Sequence, residues 1–136
     1  MLQLKLNEPY NRVFVRLGLE NPSTGVRNIV DAKIDTGAIV TTVPKEFVEA
    51  LGLEVLGKRN LAMADGSPLQ AYVCLCNVTF SDEDTIEVPI HVVDSTTGIA
   101  LIGMDILQYC NYAQWHEWDD CNKHSINFKI ELLDNV

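Results

Sequence analysis

The sequence predicts a mostly β chain that forms a single domain over residues 1–136, with two short helices. Short segments with alternating apolar residues recur along the whole chain, which is the two-residue period of half-buried strands. Turn-forming stretches such as NPSTG, DSTTG and Asp65-Gly66 separate these segments. Hydrophobic residues make up 47% of the chain and charged residues only 21%, which is enough apolar material for a core.

The first elements form a predicted hairpin that ends at an acidic residue. Leu2, Leu4 and Leu6 alternate with polar residues, and after a break the segment 12–20 alternates again. The stretch NPSTG, residues 21–25, favours a turn into the strand 26–34. Two strands therefore open the chain, and a third ends directly before Asp35.

The later elements are also short. Pro44 suits the first position of a helix over residues 44–51, and Gly52 suits a left-handed cap at its end. Asp65-Gly66 is a strong hairpin dipeptide between two long strands within residues 59–80. Further strands are predicted over residues 85–93, 99–102 and 125–132, with a second helix from about Asp105.

Charge and composition exclude several classes of function. The net charge is −9 and the ten Lys and Arg residues are scattered, so a nucleic-acid partner is not expected. No apolar run approaches the ~20 residues of a membrane span, and no secretion signal is evident, which predicts a cytoplasmic protein without a membrane partner. Reduced thiols are then expected, and Cys74 and Cys76 would share one face of a strand, where they pack.

A zinc site near the C-terminus is an alternative that the residues leave open. Cys110, His116, Cys121 and His124 could ligate a metal, but their C-x5-H-x4-C-x2-H spacing lacks the short Cys-Cys pair of common structural sites. Strand and loop positions are the simpler interpretation, so neither a metal nor a cofactor is predicted. Trp115 and Trp118 either cover one end of a barrel or form a patch for a partner.

The stretch AKIDTGAIVTTVP, residues 32–44, interrupts a strand in an unusual way. The alternation of Val30, Ala32 and Ile34 stops at Asp35-Thr36-Gly37, where residues that disfavour strands predict a sharp turn carrying a carboxylate. A plain surface turn is the alternative interpretation.

This stretch, together with ADGSP in a hairpin and ALIGMDIL near residue 100, resembles the retropepsin-like aspartic proteases, the retroviral type and its cellular relatives. The resemblance covers nearly the whole chain. It implies a single-domain closed β barrel with a flap hairpin, and an aspartic endopeptidase that hydrolyses extended peptides. A non-catalytic peptide-binding or dimerisation module of the same fold is the alternative.

The resemblance also implies roles for particular residues. Asp35 would be the catalytic acid, and Thr36, Gly37 and Ala38 would complete the active-site loop. Substrate would be bound by a further group that includes the flap: Ile39, Ala64, Asp65, Gly66, Ser67, Ile99 and Leu101. Apart from the resemblance, the position of Asp105 at the start of a predicted helix favours an interaction with the backbone over a catalytic role.

Asp-Thr-Gly occurs only once in the sequence, so the catalytic interpretation requires a homodimer. Two copies of Asp35 would meet at a two-fold axis, and the terminal strands lie where family members interleave strands between subunits. Many retroviral enzymes carry an Asp–Arg ion pair beneath the active site. Ile39 and Met104 occupy those positions here, so no buried charge is left unpaired.

Overall fold

The chain folds mainly into strands, as predicted. The computed structural model describes residues 2–6, 13–63, 65–81, 84–95 and 97–133, without the side chains of residues 4–6 and 81. Within these residues lie one α-helix and ten strands. The elements are β1 (Leu2–Leu6), β2 (Phe14–Glu20), β3 (Arg27–Ile34), β4 (Thr42–Pro44), β5 (Val55–Ala62), β6 (Pro68–Ser81), β7 (Asp84–Val93), β8 (Ala100–Ile102), α1 (Met104–Leu107), β9 (Cys110–Trp118) and β10 (His124–Leu132).

Six of the strands close into a barrel. The order is β2-β3-β8-β4-β7-β6, and β6 returns to β2, where Leu19 faces Val78. The β3–β8 and β4–β7 pairs are parallel, and the other pairs are antiparallel. Closure pairs both edges of the sheet, and it brings the ends of β3 and β8 side by side.

The alternating residues of these strands form the core. Val15, Leu17 and Leu19 of β2 are almost fully buried, and Arg16 and Gly18 between them are not. Ile90 and Ile102 are completely buried from the opposite wall. Cys74 and Cys76 share the inner face of β6 and pack in this core, as predicted, and burial raises the pKa of Cys76 to about 11.

A two-stranded hairpin extends from the barrel. Among the strands that the structure describes, β5 pairs only with β6, in a register that joins Ala62 to Pro68 next to the turn and Val55 to Cys74 at the base. Nearly every residue of β5 is exposed, because the strand lies outside the closed barrel and no other described strand pairs with its second edge. This is the hairpin that the sequence predicts around Asp65-Gly66.

The predicted first helix is instead a pair of 3-10 turns, Lys45–Phe47 and Glu49–Leu51. Pro44 is the extended last residue of β4 rather than the first helical residue, because its ψ is 137°. Gly52 does adopt the predicted left-handed conformation, with φ 63°. The buried side chain of Asn21 donates to the Leu51 carbonyl (2.8 Å), which fixes the end of this segment.

The terminal strands form a separate three-stranded sheet in the order β1-β10-β9. β10 lies in the centre, with Leu2 opposite Ile130 on one side and Tyr112 opposite Ile130 on the other. Ile126, Phe128 and Ile130 are buried in the core. β10 therefore has a neighbouring strand on each side within one chain, and its apolar face belongs to the fold of the subunit itself.

The strand β9 was not predicted, since its sequence lacks a regular apolar period. Trp118 is 67% exposed and stacks on His124, so it does not cover the end of the barrel. None of the helices in the described residues has the length and apolar character needed to cross a bilayer.

Candidate active site

The Asp35-Thr36-Gly37 segment forms a tight turn at the end of β3. The Asp35 N–H donates to the Ile102 carbonyl (3.0 Å), which continues the β3–β8 pairing by one residue. One carboxylate oxygen of Asp35 accepts the Gly37 N–H (3.0 Å). A Cβ at Gly37 would lie 3.3 Å from that same oxygen, so a larger residue would crowd the carboxylate. The Asp35 side chain is left partly accessible, and Thr36 and Gly37 are exposed.

The next part of the loop is fastened to the start of α1. The carbonyl of Ala38 accepts the Met104 N–H (2.8 Å), and the carbonyl of Ile39 accepts the Asp105 N–H (3.1 Å). A Cβ at Gly103 would come within 2.6 Å of the Val40 backbone, so only glycine permits this close approach. The side chain of Ile39 points away from these bonds and is 80% exposed.

A buried polar network supports this loop from behind. The Thr41 hydroxyl donates to the Asp105 carboxylate (2.7 Å) and accepts the Gly103 N–H (3.0 Å). The other carboxylate oxygen of Asp105 accepts the Thr41 N–H (2.9 Å). Thr41 is fully buried. Asp105 thus binds backbone groups, as predicted, while the part played by Thr41 was missed because threonine in a β-branched run is an ordinary strand residue.

The predicted flap residues Asp65, Gly66 and Ser67 form a turn at the tip of the hairpin, which is held by hydrogen bonds within the turn. Asp65 accepts both the N–H (2.9 Å) and the hydroxyl (2.6 Å) of Ser67, and these bonds lower the pKa of its carboxyl. Gly66 has φ 84° and donates its N–H to the Met63 carbonyl (2.9 Å). Ala64 lies outside the described residues.

A row of side chains crosses the barrel next to Asp35. Strand register aligns five residues on neighbouring strands, and paired residues project to the same face of a sheet. We call this set the outer row: Lys33, Leu101, Thr42, His91 and Val73. Leu101 is half-buried here, and Ile99 precedes it by two residues on the same chain segment. The outer row therefore joins one predicted pocket residue to three polar residues that were not predicted.

His91 is the most unusual member of the outer row. It is 5% exposed, and neither ring nitrogen has a hydrogen-bond partner within the described part of the chain. Burial lowers the pKa of the imidazole, and the charge of Arg59 lowers the pKa further, while Asp105 acts in the opposite direction. Alternation along the predicted strand over residues 85–93 gives no sign of this, because alternation does not reveal what faces a side chain.

The four residues of the alternative zinc site do not gather in one place. Cys110 is buried six residues before His116 on the extended strand β9, a separation of about 20 Å. Burial also raises the pKa of Cys110 to about 11. His116 and His124 stack on each other, with Nδ1 and Nε2 2.6 Å apart. Over residues 2–6, 13–63, 65–81, 84–95 and 97–133, no three His, Cys, Asp or Glu side chains are grouped to hold a metal ion.

Comparison with solved structures defines the class of protein as a retropepsin-like fold. EIAV protease complexed with the inhibitor HBY-793 superposes with a TM-score of 0.58 at 14% identity, over 74% of this chain and 89% of that one. A retropepsin-like aspartic protease from Rickettsia conorii gives a TM-score of 0.55 at 18% identity, over 93% of this chain and 98% of that one.

The family itself follows from the sequence match. A model described as gag-polyprotein putative aspartyl protease matches residues 26–109, which is more than half of the chain. The chain therefore belongs to this family. The match includes Asp35, the hairpin and the Gly103–Asp105 segment. No curated protein matches the sequence significantly.

Proposed function

We propose that this chain is an aspartic endopeptidase in which Asp35 is the catalytic acid. The observation that carries the proposal is the turn at the end of β3, where a partly accessible carboxylate is oriented by the Gly37 N–H and anchored through Ile102. This turn lies inside the segment that matches the aspartyl protease family. We further infer that residues 1–136 act as one domain.

The proposed chemistry needs two carboxylates. At a separation of ~4 Å and an effective dielectric constant of 20, two negative charges repel by about 4 kcal/mol, so the pair would share one proton. The ionised carboxylate would take a proton from water as it attacks the peptide carbonyl, and the protonated one would supply a proton to the carbonyl oxygen. The roles would exchange as the tetrahedral intermediate breaks down to release the amine.

A second copy of the chain is the proposed source of the second carboxylate. Asp-Thr-Gly occurs once in the sequence, and Asp105, the nearest carboxylate along the supporting network, is already bound to Thr41. The catalytic loop also presents Ile39, which is 80% exposed. Pairing of two loops across a two-fold axis would bring two Asp35 carboxylates together and would cover this apolar side chain.

The proposed substrate is a peptide in an extended conformation. It would lie between the hairpin β5–β6 and the loop of Asp35, with Ile39, Ile99 and Leu101 in contact with its side chains and Asp65, Gly66 and Ser67 closing over it. Thr36 would contact the partner loop. A contact of Ala64 with the substrate and a cytoplasmic location stay predictions from the sequence.

Peptide cleavage by the native chain and by Asp35→Asn tests the proposal. Asn is nearly isosteric with Asp but cannot exchange the proton, so cleavage of a mixed peptide library should fall at least about a hundredfold. Circular dichroism should show an unchanged fold. Equal cleavage by the two proteins would exclude Asp35 as the catalytic acid. Peptide binding without any cleavage by the native chain would instead favour the non-catalytic module.

Mixing experiments test the dimer. Excess Asp35→Asn subunits should inhibit the native chain once subunits exchange, because a mixed dimer holds one carboxylate and one amide. Activity should also fall on dilution as dimers dissociate, and sedimentation would count the subunits. A fully active monomer would overturn the two-fold dyad.

A further inference from the structure

The outer row lies on the side of the sheet that faces away from the barrel core. Its neighbours along the strands, Ala32, Val43, Val92 and Ile102, are buried in the core. Lys33, Thr42, Leu101 and Val73 alternate with these residues and are only half-buried. Asp35 follows Lys33 by two residues, so the outer row starts beside the proposed catalytic carboxylate.

Arg59 belongs to the same face. On the hairpin, Arg59 is paired with Ala71, and Ala71 is paired with Val93, which projects to the same side of β7 as His91. The charge of Arg59 is also close enough to His91 to lower the pKa of its imidazole. Lys58 precedes Arg59 and projects to the opposite face, where its ammonium lies 5.4 Å from the ring centroid of Tyr72.

His91 supplies unused hydrogen-bonding capacity at this place. A neutral imidazole offers one N–H donor and one acceptor, and each polar group that is buried without a partner costs ~1–3 kcal/mol. Both ring nitrogens of His91 are buried without a hydrogen-bond partner among the described residues. A buried polar group of this kind needs an explanation, and a ligand that hydrogen-bonds to the ring is one.

The charges on this face favour an acidic ligand. The chain carries 19 acidic and 10 basic residues, yet the charged group near His91 on its outer face is Arg59, and Lys33 stands at the far end of the outer row, three strands from His91. Arg59 is exposed, and it has no ion pair with any residue that the structure describes. Asp105, the acidic group that acts on His91, is already engaged by the N–H and hydroxyl of Thr41.

We propose that Arg59, Thr42 and His91 form a subsite for an acidic side chain of the substrate, so that the chain cleaves preferentially beside Glu or Asp. The proposal rests on the proposed peptidase function. The guanidinium would bind the carboxylate through paired N–H groups. As the hairpin lifts to admit the peptide, the Thr42 hydroxyl and the His91 N–H would become available as further donors.

Matched fluorogenic peptides test this subsite. The peptides differ only at one residue next to the scissile bond, which is Glu, Gln or Leu, and kcat/KM is measured for each. The native chain should prefer Glu to Leu by at least about tenfold, since a pocket with unpaired donors rejects a side chain that cannot accept hydrogen bonds.

Substitutions on the two faces of β5 provide the control. Arg59→Gln should lower the ratio of kcat/KM for Glu over Leu at least about tenfold, because it removes the cation. Lys58→Gln removes the same charge from the opposite face and should leave the ratio unchanged. His91→Leu should also lower the preference for Glu. If His91→Leu does not fold because the residue is buried, Arg59→Gln still tests the subsite.

Binding measurements separate failure of the subsite from failure of the peptidase function. The same peptides, labelled for fluorescence anisotropy, are titrated with Asp35→Asn, in which the subsite is intact. Cleavage without preference for Glu, or a preference that Arg59→Gln does not reduce, would overturn the subsite alone. If the native chain cleaves no peptide, the peptidase function fails. In that case the binding measurement still tests the subsite, and it would be overturned if Asp35→Asn bound the Glu peptide no more tightly than the Leu peptide.

Discussion

The buried hydroxyl of Thr41 should be essential for holding the loop of Asp35. Thr41→Val keeps the shape of the side chain but removes the hydroxyl that donates to Asp105 and accepts the Gly103 N–H. A hydrogen bond to a charged group contributes ~1.5–3 kcal/mol, and the buried N–H left without a partner costs ~1–3 kcal/mol. The free energy of unfolding should therefore fall by roughly 2.5–6 kcal/mol.

The measurement is urea unfolding followed by circular dichroism at a fixed protein concentration. With a slope of ~1–3 kcal/mol per molar urea, the loss should move the midpoint down by at least about 1 M. Thr41→Ser is the matched control, because it keeps both hydrogen bonds and loses one methyl group, at a cost of ~1 kcal/mol. Peptide cleavage should be lost in Thr41→Val even where it remains folded, since the loop of Asp35 loses its support. A change below about 0.5 kcal/mol in Thr41→Val would refute the reasoning.

Three further predictions concern single positions. Gly103→Ala should be destabilised by more than ~2 kcal/mol in urea unfolding, because its Cβ would lie 2.6 Å from the Val40 backbone. Gly57→Ala is the control and should be nearly neutral, because a Cβ there would meet nothing within 4 Å. Equal losses of stability in the two variants would contradict the packing argument. Gly66→Val should lower kcat/KM, because a β-branched residue is strained at the φ of 84° that Gly66 adopts. Gly66→Asn should retain more activity, because Asn tolerates that conformation. Equal kcat/KM values for the two variants would show that the turn does not require glycine. Because the pKa of His91 is lowered in the folded chain, the unfolded chain binds a proton at a higher pH than the folded chain does, and the free energy of unfolding should decrease as the pH falls below about 6.5. His91→Leu should weaken this pH dependence. Identical pH profiles of the native chain and the variant would exclude His91 as its source.

The active-site loop could be located from sequence because its signals are local. Asp35 interrupts an apolar alternation, and the following Gly37 indicates close approach, so the turn and its carboxylate were predictable. The hairpin at Gly66 was predictable for the same reason, since a left-handed φ favours glycine within the turn itself. The 3-10 turns after Pro44 were mistaken for a helix, because the same apolar spacing suits either conformation over a single turn.

The sequence by itself determined the strand segments, the turn that carries Asp35 and the aspartyl protease family, since periodicity and turn chemistry depend on residues a few positions apart. Only the tertiary structure decided that Thr41 binds Asp105 across 64 residues, that β10 is central in its own sheet, and that His91 lies in the outer row with Arg59 nearby. These contacts depend on strand order and register. Barrel closure sets both by joining segments that are distant in the chain, and no local pattern records which polar side chains will then be buried together.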